Sequence, residues 1–293
     1  MLKRLFISQF KFPGRRRTLF YLPLFIWAIA SLAMCCWLVE IGIHALLPPP
    51  PPDQDLQHLR RSRSLKHYLD NTQLLIEPSS DPCGLEETPV IILVTSAPTR
   101  YEARDAIRDT WARHQPTFFV MGVQRQNVDE QLVNNYVEAK QYSDLLVFDF
   151  YDHYQNLTLK TALMLKWTLK RCPQAQFMFK ADDDVLVNPW TLRQVLKDNR
   201  DAKLLGPGYI ISGEYIENIL NTAFKIPILN IEDVYFTYIV ARRTLGLSLT
   251  HERRLSPHKP WIGLSCAYWD LASAHSLSPK EMLSKWGTDL ELH

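Results

Sequence analysis

Apolar and polar positions alternate in blocks along the last two thirds of the chain. Four short blocks are apolar and rich in β-branched or aromatic side chains, which is typical of strands buried on both faces: residues 89–96, 117–121, 144–150 and 177–181. The blocks between them predict helices: residues 104–111, 127–141 and 157–171. Alternating strands and helices predict an α/β fold in which a mostly parallel sheet is covered by helices on both faces.

The longest apolar run lies before this alternation. Residues 19–39 carry no charge, and as a helix they would span about 32 Å, which matches the hydrocarbon core of a bilayer. Six basic residues and no acidic ones lie in residues 1–18, so the positive-inside rule places that end in the cytosol. We therefore expect a cytoplasmic tail (1–18) and an uncleaved signal-anchor (19–39). A cleaved signal peptide and a buried core helix are the alternatives, but the run is long for the first and wholly uncharged for the second.

The segment after the expected anchor is polar. Five consecutive prolines at 48–52 favour a stiff polyproline II spacer. The rest of residues 40–87 is expected to form a solvated stem, including a basic run to which we assign no function: Arg60, Arg61, Arg63 and Lys66. This leaves one lumenal domain over residues 88–293.

Composition narrows the class of protein further. The chain has 293 residues, of which 46% are hydrophobic, so wholesale disorder is excluded. Beyond residue 39 the acidic residues outnumber the basic ones, which does not suit a nucleic-acid binder. Cys83, Cys172 and Cys266 follow the expected anchor, and an odd number leaves one of them without a partner in the chain. Asn156 begins the only glycosylation sequon, so it is the residue expected to carry a glycan in the lumen.

Three consecutive aspartates, Asp182 to Asp184, follow the fourth predicted strand. Adjacent carboxylates repel one another, so a fold retains them when a cation or a set of hydrogen-bond donors compensates. In an extended segment Asp182 and Asp184 point to the same side and can reach one ligand, for which the oxygen donors favour Mg²⁺ or Mn²⁺. The alternative is a solvated acidic turn or a helix cap.

A second acidic pair, Glu232 and Asp233, follows the apolar run 226–231 and opens a predicted helix over residues 234–245. Acidic residues at a helix N-terminus are commonly caps. A role in chemistry requires that another site lies within reach.

Seven motifs in order resemble the β1,3-galactosyltransferases and β1,3-N-acetylglucosaminyltransferases of the animal Golgi. They are RDAIRDTW (Arg104–Trp111), FFVMG, DFYDHYQNLTLKT (Asp149–Thr161), FMFKADDDVLVN (Phe177–Asn188), GPGYIIS (Gly206–Ser212), EDVYFTY and HSLSPKEM (His275–Met282). The resemblance implies a GT-A type nucleotide-sugar-binding fold and a type II Golgi membrane protein with its catalytic domain in the lumen. It also implies an inverting transfer of galactose or N-acetylglucosamine from a UDP-sugar to the 3-hydroxyl of a glycan on protein or lipid.

The resemblance also implies residue roles. Asp184 would bind Mn²⁺ directly, and His275 would complete the metal shell. Asp233 would be the base that removes the proton from the acceptor hydroxyl. The residues implied to contact the donor are Arg104, Arg108, Lys180, Asp182 and Asp183, although Arg108 equally suits an ion pair on a helix face. Trp111 is expected in the core.

One departure from the family pattern bears on activity. The strand ending at Gly206 continues directly into Pro207, Gly208 and Tyr209, where the family has a long loop. Three functions therefore remain open. They are an active metal-dependent hexosyltransferase, an inactive membrane-anchored protein that binds UDP or partners active transferases, and an unrelated lumenal metallohydrolase.

Overall fold

The computed structural model describes residues 26–35, 37–38, 61, 63–78, 83, 89–124, 126–206, 209–261 and 265–286. The chain forms two compact units, Met1–Gln57 and His58–His293. In the first unit, residues 26–35 and 37–38 are helical and exposed. Among the described residues no helix is long and apolar enough to cross a membrane. The expected tail, the remainder of the expected anchor and the proline run lie outside the described residues.

The second unit contains an eight-stranded sheet with the strand order β1-β4-β3-β2-β5-β8-β7-β9. The strands are β1 (Leu74–Ile76), β2 (Val90–Thr95), β3 (Thr117–Val123), β4 (Leu145–Tyr151), β5 (Phe177–Asp182), β7 (Leu204–Gly206), β8 (Ile210–Ser212) and β9 (Leu249–His251). A second sheet has the order β10-β11-β6, from β6 (Leu186–Val187), β10 (Leu255–Ser256) and β11 (Ser273–Ala274). The α/β architecture with a mostly parallel sheet is confirmed.

The four central strands β4, β3, β2 and β5 run parallel to one another. All six residues of β2 are buried, as the continuous apolar run predicts for a strand covered on both faces. In the pairing of β2 with β5, Thr95 lies opposite Asp182. The ends of the two most central strands therefore meet at the carboxyl edge of the sheet, which is where ligands of such sheets bind.

Seven α-helices are described in this unit: α1 (Leu65–Asp70), α2 (Tyr101–Asp109), α3 (Val128–Tyr142), α4 (Leu157–Arg171), α5 (Pro189–Asp198), α6 (Gly213–Ala223) and α7 (Pro279–Lys285). Helix α4 has the predicted bounds and is buried along most of its length. Trp111 follows α2 in a short 3-10 helix and is fully buried, with its indole N–H donating to Val185 O at 3.1 Å, so its expected place in the core is confirmed.

The segment Val234–Thr244 is a π-helix, whereas the sequence predicted an ordinary helix. Its buried residues are Tyr235, Phe236, Val240 and Ala241, which recur at an interval of five. In a helix with i→i+5 hydrogen bonds, residues five apart in sequence lie on nearly the same face, whereas in an α-helix they do not. π-Helical turns are often found at functional sites, and this one follows directly after Asp233.

Part of the segment expected to be a solvated stem belongs to the folded unit. Leu65 and Leu69 lie on one face of α1 and are almost completely buried, and β1 pairs antiparallel with β4 at the edge of the sheet. Cys83 forms a disulfide with Cys172 at the end of α4, which leaves Cys266 as the odd cysteine. The folded unit therefore begins about thirty residues earlier than expected, at His58. The reason is that Leu65 and Leu69, four residues apart on one face of the helix, are buried against the rest of the unit.

Arg61, which the sequence placed in the solvated basic run, makes a set of specific contacts. Its Nε donates to Asn230 Oδ1 at 2.6 Å, its Nη2 donates to Asn156 Oδ1 at 2.6 Å, and its backbone N–H donates to Ile228 O at 3.0 Å. Arg61 therefore joins the N-terminal part of the unit to the segment that leads into Glu232 and Asp233.

We expect Leu65→Ala to lower the free energy of unfolding by about 2–5 kcal/mol, because the substitution leaves a cavity in a packed core. Leu75→Ala is the matched control, since Leu75 in β1 is 42% exposed, and it should change stability little. Denaturant unfolding of the full chain measures both. Equal stability of the two variants would show that α1 does not belong to the core.

Candidate active site

The three aspartates lie at the carboxyl end of β5, in the middle of the sheet edge. The register of β2 and β5 places the Thr95 hydroxyl against Asp182, to which it donates a hydrogen bond. Asp183 and Asp184 form the turn that follows. The predicted position of these carboxylates at the sheet edge is confirmed.

Asp182 and Asp184 lie on the same side of the chain and share His275 as a neighbour. His275 Nε2 is 3.5 Å from Asp182 Oδ2 and 3.2 Å from Asp184 Oδ1. The pairing of β11 with β6 explains this approach, because it places Ala274 opposite Leu186, and the Leu277 N–H then donates to Asp184 O at 2.9 Å. The structure thus brings together Asp184 and His275, which the resemblance assigned to a metal ion, and Asp182, which it assigned to the donor.

The two carboxylates differ in their electrostatic environment. Burial acts to raise the pKa of Asp182, but the hydrogen bond from His275 and the charge of Lys180 outweigh it, so that the pKa stays well below its usual range. Burial raises the pKa of Asp184, and repulsion from the other two aspartates adds to the shift, although His275 opposes it. The hydrogen bond to Asp182 raises the pKa of His275 in turn.

Asp183 points to the other side of the turn. Its carboxylate accepts two hydrogen bonds from Arg100, with Nη2 at 2.8 Å and Nε at 3.2 Å, and one from the Ser96 hydroxyl at 2.9 Å. Asp183 was predicted to contact the donor, but in this structure its oxygens hold the turn to the loop after β2. Sequence reasoning missed Arg100, although its position just before α2 and close to the end of a central strand could have suggested it.

Lys180 is buried between two acidic groups. Its Nζ lies 3.4 Å from Asp182 Oδ1 and 3.4 Å from Glu232 Oε2, and it is 7% exposed. Burial alone would lower the pKa of Lys180, but Glu232 and Asp182 outweigh it and raise the pKa. Lys180 was predicted to contact the donor. In the structure it connects the aspartate cluster to the second acidic pair and also lines the pocket beside them, so the donor contact stays a prediction.

Glu232 and Asp233 have different environments although they are neighbours. Glu232 is 5% exposed, and burial raises its pKa to about 8 against the opposing charge of Lys180. Asp233 is exposed and its side chain makes no capping hydrogen bond to the helix that follows. Asp233 therefore does not cap the helix that follows it with its side chain, which leaves the carboxylate available to a ligand.

Asp182, Asp233 and His275 line one pocket of about 370 Å³. The rest of its wall is mostly apolar and is formed by residues such as Phe179, Val185, Gly206, Leu249 and Pro257. The hydroxyl of Tyr209, also in the lining, is buried and has no hydrogen-bond partner among the described residues. The pocket combines acidic groups on one side with an apolar wall on the other, as small-molecule sites commonly do.

Arg104 and Arg108 were predicted to contact the donor, and the structure places both in a buried ion-pair network instead. Arg104 is fully buried and binds Glu138 with two hydrogen bonds of 2.6 and 2.7 Å. Arg108 binds Glu138 at 2.7 Å and Asp144 at 2.7 Å, which agrees with the ion-pair alternative. The physical reason is that a buried guanidinium requires carboxylate partners, and α3 and the loop after it supply them.

Asn156 was predicted to carry a glycan. In the structure its side chain is half-buried, accepts a hydrogen bond from Arg61 and donates one to Tyr151 O at 2.6 Å. Thr158, the third residue of the sequon, is buried, and its hydroxyl donates to Leu229 O at 2.6 Å. In the folded chain the sequon therefore holds neighbouring segments together.

The donor set at the aspartates fits a divalent cation. Asp184 Oδ1 is buried without a hydrogen-bond partner, and His275 Nε2 approaches it without the alignment of a hydrogen bond. Carboxylate oxygens with one imidazole nitrogen suit Mn²⁺. Among the residues that the structure describes, no group of three or more His, Cys, Asp or Glu side chains is already arranged to hold an ion. The fit to a divalent cation therefore rests on the buried Asp184 oxygen that has no hydrogen-bond partner and on the ligand types that these side chains offer.

Comparison with known proteins finds a matching family model and several similar glycosyltransferases. A family model described as Galactosyltransferase matches residues 102–205. Beta-1,3-galactosyltransferase 5 of Homo sapiens is 25% identical over 262 residues, covering 75% of this chain and 84% of that protein. N-acetyllactosaminide beta-1,3-N-acetylglucosaminyltransferase 4 of Homo sapiens is 27% identical over 349 residues, covering 88% of this chain and 89% of that protein. UDP-GalNAc:beta-1,3-N-acetylgalactosaminyltransferase 1 of Mus musculus is 26% identical over 249 residues, covering 70% and 75%.

The chain is similar to β1,3-galactosyltransferases and β1,3-N-acetylglucosaminyltransferases, which is the resemblance that its motifs indicated. The second of these alignments extends over 349 positions, more than the 293 residues of this chain, so that relative has residues without a counterpart here. Among solved structures, a glycosyltransferase involved in the glycosylation of the major capsid of PBCV-1 aligns over 68% of this chain and 98% of its own. It is 12% identical with a TM-score of 0.37, a similarity too low to bear on the fold.

We expect Arg104→Met to destabilise the folded unit by about 3 kcal/mol, because it removes one partner of a buried carboxylate while Arg108 retains the other. Glu102→Gln, at an exposed position on the same helix, is the control and should be neutral. Denaturant unfolding measures both. An unchanged stability of Arg104→Met would contradict the structural role of this arginine.

Proposed function

We propose that the chain is an inverting, metal-dependent β1,3-hexosyltransferase of GT-A type. The observation that carries the proposal is the single pocket in which the Asp182 and His275 cluster and the exposed carboxylate of Asp233 are found together. The proposed donor is UDP-galactose or UDP-N-acetylglucosamine, with galactose as the default. The proposed acceptor is the 3-hydroxyl of a glycan on a protein or lipid. We also propose a Golgi location, with residues 19–39 as a single-pass anchor and the catalytic unit in the lumen.

Mn²⁺ is the proposed cofactor, held by Asp184 and His275 with Asp182 beside them. When bound, it would act as a Lewis acid that neutralises the diphosphate and stabilises UDP as the leaving group. Asp184 suits this role because its buried oxygen lacks any other partner. Thr95 and Lys180 contribute by holding Asp182 ionised and oriented towards the pocket.

Asp233 is proposed as the general base. Its carboxylate would accept the proton of the acceptor 3-hydroxyl while that oxygen forms a bond to the anomeric carbon. The bond from the anomeric carbon to the UDP oxygen breaks in the same step, and the electron pair leaves with UDP. One displacement from the face opposite the leaving group inverts the configuration and needs only one base. Exposure to the pocket, with no capping hydrogen bond, makes Asp233 available for this step.

A second candidate is an inactive membrane-anchored protein that binds UDP or a partner transferase. The observation in its favour is the direct connection between β7 and β8, which pair as antiparallel neighbours on either side of residues 206–209. Gly206 and Tyr209 line the pocket, so a longer loop at this position would have formed part of its wall. Without that wall, water exclusion and acceptor positioning are both weaker.

Incubation of the full chain with each UDP-sugar, Mn²⁺ and acceptors ending in galactose or N-acetylglucosamine tests the proposal. A new β1,3 linkage that requires the metal is the expected result. Binding of UDP without transfer to any acceptor would favour the second candidate. Breakdown of the UDP-sugar to free hexose regardless of acceptor would favour the metallohydrolase alternative.

We expect Asp184→Asn to abolish metal-dependent transfer while the fold persists, because the substitution weakens metal binding and also relieves repulsion among the three carboxylates. Asp201→Asn, at an exposed position after α5, is the control. Transfer rates across a Mn²⁺ titration and a thermal unfolding curve measure the two effects. Activity that survives at ordinary Mn²⁺ concentrations would refute the metal assignment.

We expect Asp233→Asn to reduce turnover by about 10²–10⁴-fold, which is the usual contribution of a general base. The affinity for UDP should stay close to that of the wild type, because the assigned metal ligands are untouched. Calorimetric titration with UDP and steady-state transfer rates separate the two quantities. A collapse of UDP affinity would instead make Asp233 a nucleotide ligand.

A further inference from the structure

The motif Asp149–Thr161 has no part in the proposed reaction, yet two of its residues reach towards both halves of the site. Lys160 and Thr161 are consecutive residues in the first turns of α4 and are 3% and 0% exposed. Consecutive side chains on a helix point about 100° apart. One helical turn can therefore support two separate structures.

Lys160 holds the loop that supports the aspartate turn. Its Nζ donates to Ser96 O at 2.7 Å and lies 2.7 Å from Asp152 Oδ1. The Ser96 hydroxyl in turn donates to Asp183 Oδ2 at 2.9 Å. Asp152 is itself fixed by the Gly122 N–H at 2.8 Å. The position of the aspartate turn thus depends on a buried ion pair at the start of α4.

Thr161 holds the segment that carries the proposed base. Its hydroxyl donates to Glu232 Oε1 at 3.1 Å, and both groups are buried. Thr158, one turn earlier on the same face, donates to Leu229 O at 2.6 Å. Two hydroxyls of α4 therefore attach the stretch from Leu229 to Glu232, and Asp233 follows directly.

We propose that Lys160 and Thr161 are positioning residues for the two halves of the site. Lys160 acts on the metal and nucleotide side through Ser96 and Asp183, and Thr161 acts on the base side through Glu232. Helix α4 is then the common support that keeps the base at a constant distance from the donor. This inference rests on the proposed function, because it assigns the two halves to donor binding and to proton removal.

The Lys160 arm is tested by calorimetric titration of the full chain with UDP in the presence of Mn²⁺. Lys160→Met alone would leave Asp152 buried and unpaired, so the informative variant is Asp152→Asn with Lys160→Met, which removes both charges. We expect UDP affinity to fall at least tenfold, as is usual when a group that orients metal ligands is lost. Lys170→Met, at an exposed position on the same helix, is the control and should bind UDP as the wild type does.

The Thr161 arm is tested by steady-state transfer from UDP-galactose. We expect Thr161→Val to lower kcat about tenfold while UDP affinity and the KM for the donor stay unchanged. Thr161→Ser restores the hydroxyl and should restore kcat. Thr168→Val is the matched control, because Thr168 is a buried threonine of the same helix whose hydroxyl has no hydrogen-bond partner among the described residues.

The two arms together distinguish this inference from the function on which it rests. A wild-type chain that neither binds UDP with Mn²⁺ nor transfers sugar overturns the proposed function, and the inference falls with it. A wild-type chain that does both, with variants that behave like their controls, overturns the inference alone. Loss of UDP affinity and kcat in equal measure by both variants, in step with a lowered melting temperature, also overturns it, since that pattern indicates general destabilisation. The inference is supported if the double variant of Asp152 and Lys160 loses UDP affinity, while Thr161→Val loses kcat at unchanged UDP affinity and Thr161→Ser restores kcat.

Discussion

The site depends on compensating three consecutive carboxylates at the end of a buried central strand. Their mutual repulsion would unfold the turn if the surrounding structure did not supply donors and positive charge. The compensating groups come from three parts of the chain, namely the end of β2 with the loop after it, the strand β5 itself, and the segment after β11: Thr95, Ser96, Arg100, Lys180 and His275. Asp184 Oδ1 is buried without a hydrogen-bond partner among the described residues, in contrast to the bonded oxygens of Asp182 and Asp183.

The same need to compensate buried charge explains why a motif rich in arginine does not form an anion site. Arg104 and Arg108 lie on the inner face of α2, and removing a guanidinium from water without a carboxylate partner costs several kcal/mol. Glu138 and Asp144 provide those partners. Arg104 still acts on the site indirectly, because its Nη1 donates to Ala97 O at 2.7 Å and so shapes the loop after β2.

The wall of the pocket is built from segments that are distant in the chain. Arg61 and α4 both bind the stretch before Glu232, and Gly206 and Tyr209 at the ends of the β7–β8 connection line the pocket. The N-terminal residues of the folded unit thus help to position the proposed base. Gly206 and Tyr209, which flank the β7–β8 connection, line the pocket, and the length of this connection is the feature in which the chain departs from the proteins it resembles.

The sequence by itself determined the order of strands and helices, the bounds of α4 and the place of the three aspartates. These follow from local rules, because a strand buried on both faces must be continuously apolar and a polar residue directly after it must lie at the edge of the sheet. Strand alternation also predicted that Asp182 and Asp184 point to the same side, and the resemblance added His275, whose approach to them no local pattern predicts. Only the tertiary structure decided which basic side chains face the pocket. Arg104 and Arg108 do not, because the carboxylates that pair with them lie on other elements of the fold. The tertiary structure also decided that Leu65 and Leu69 belong to the core, because a short apolar pair in a polar segment becomes a docking helix only where the domain offers a complementary surface.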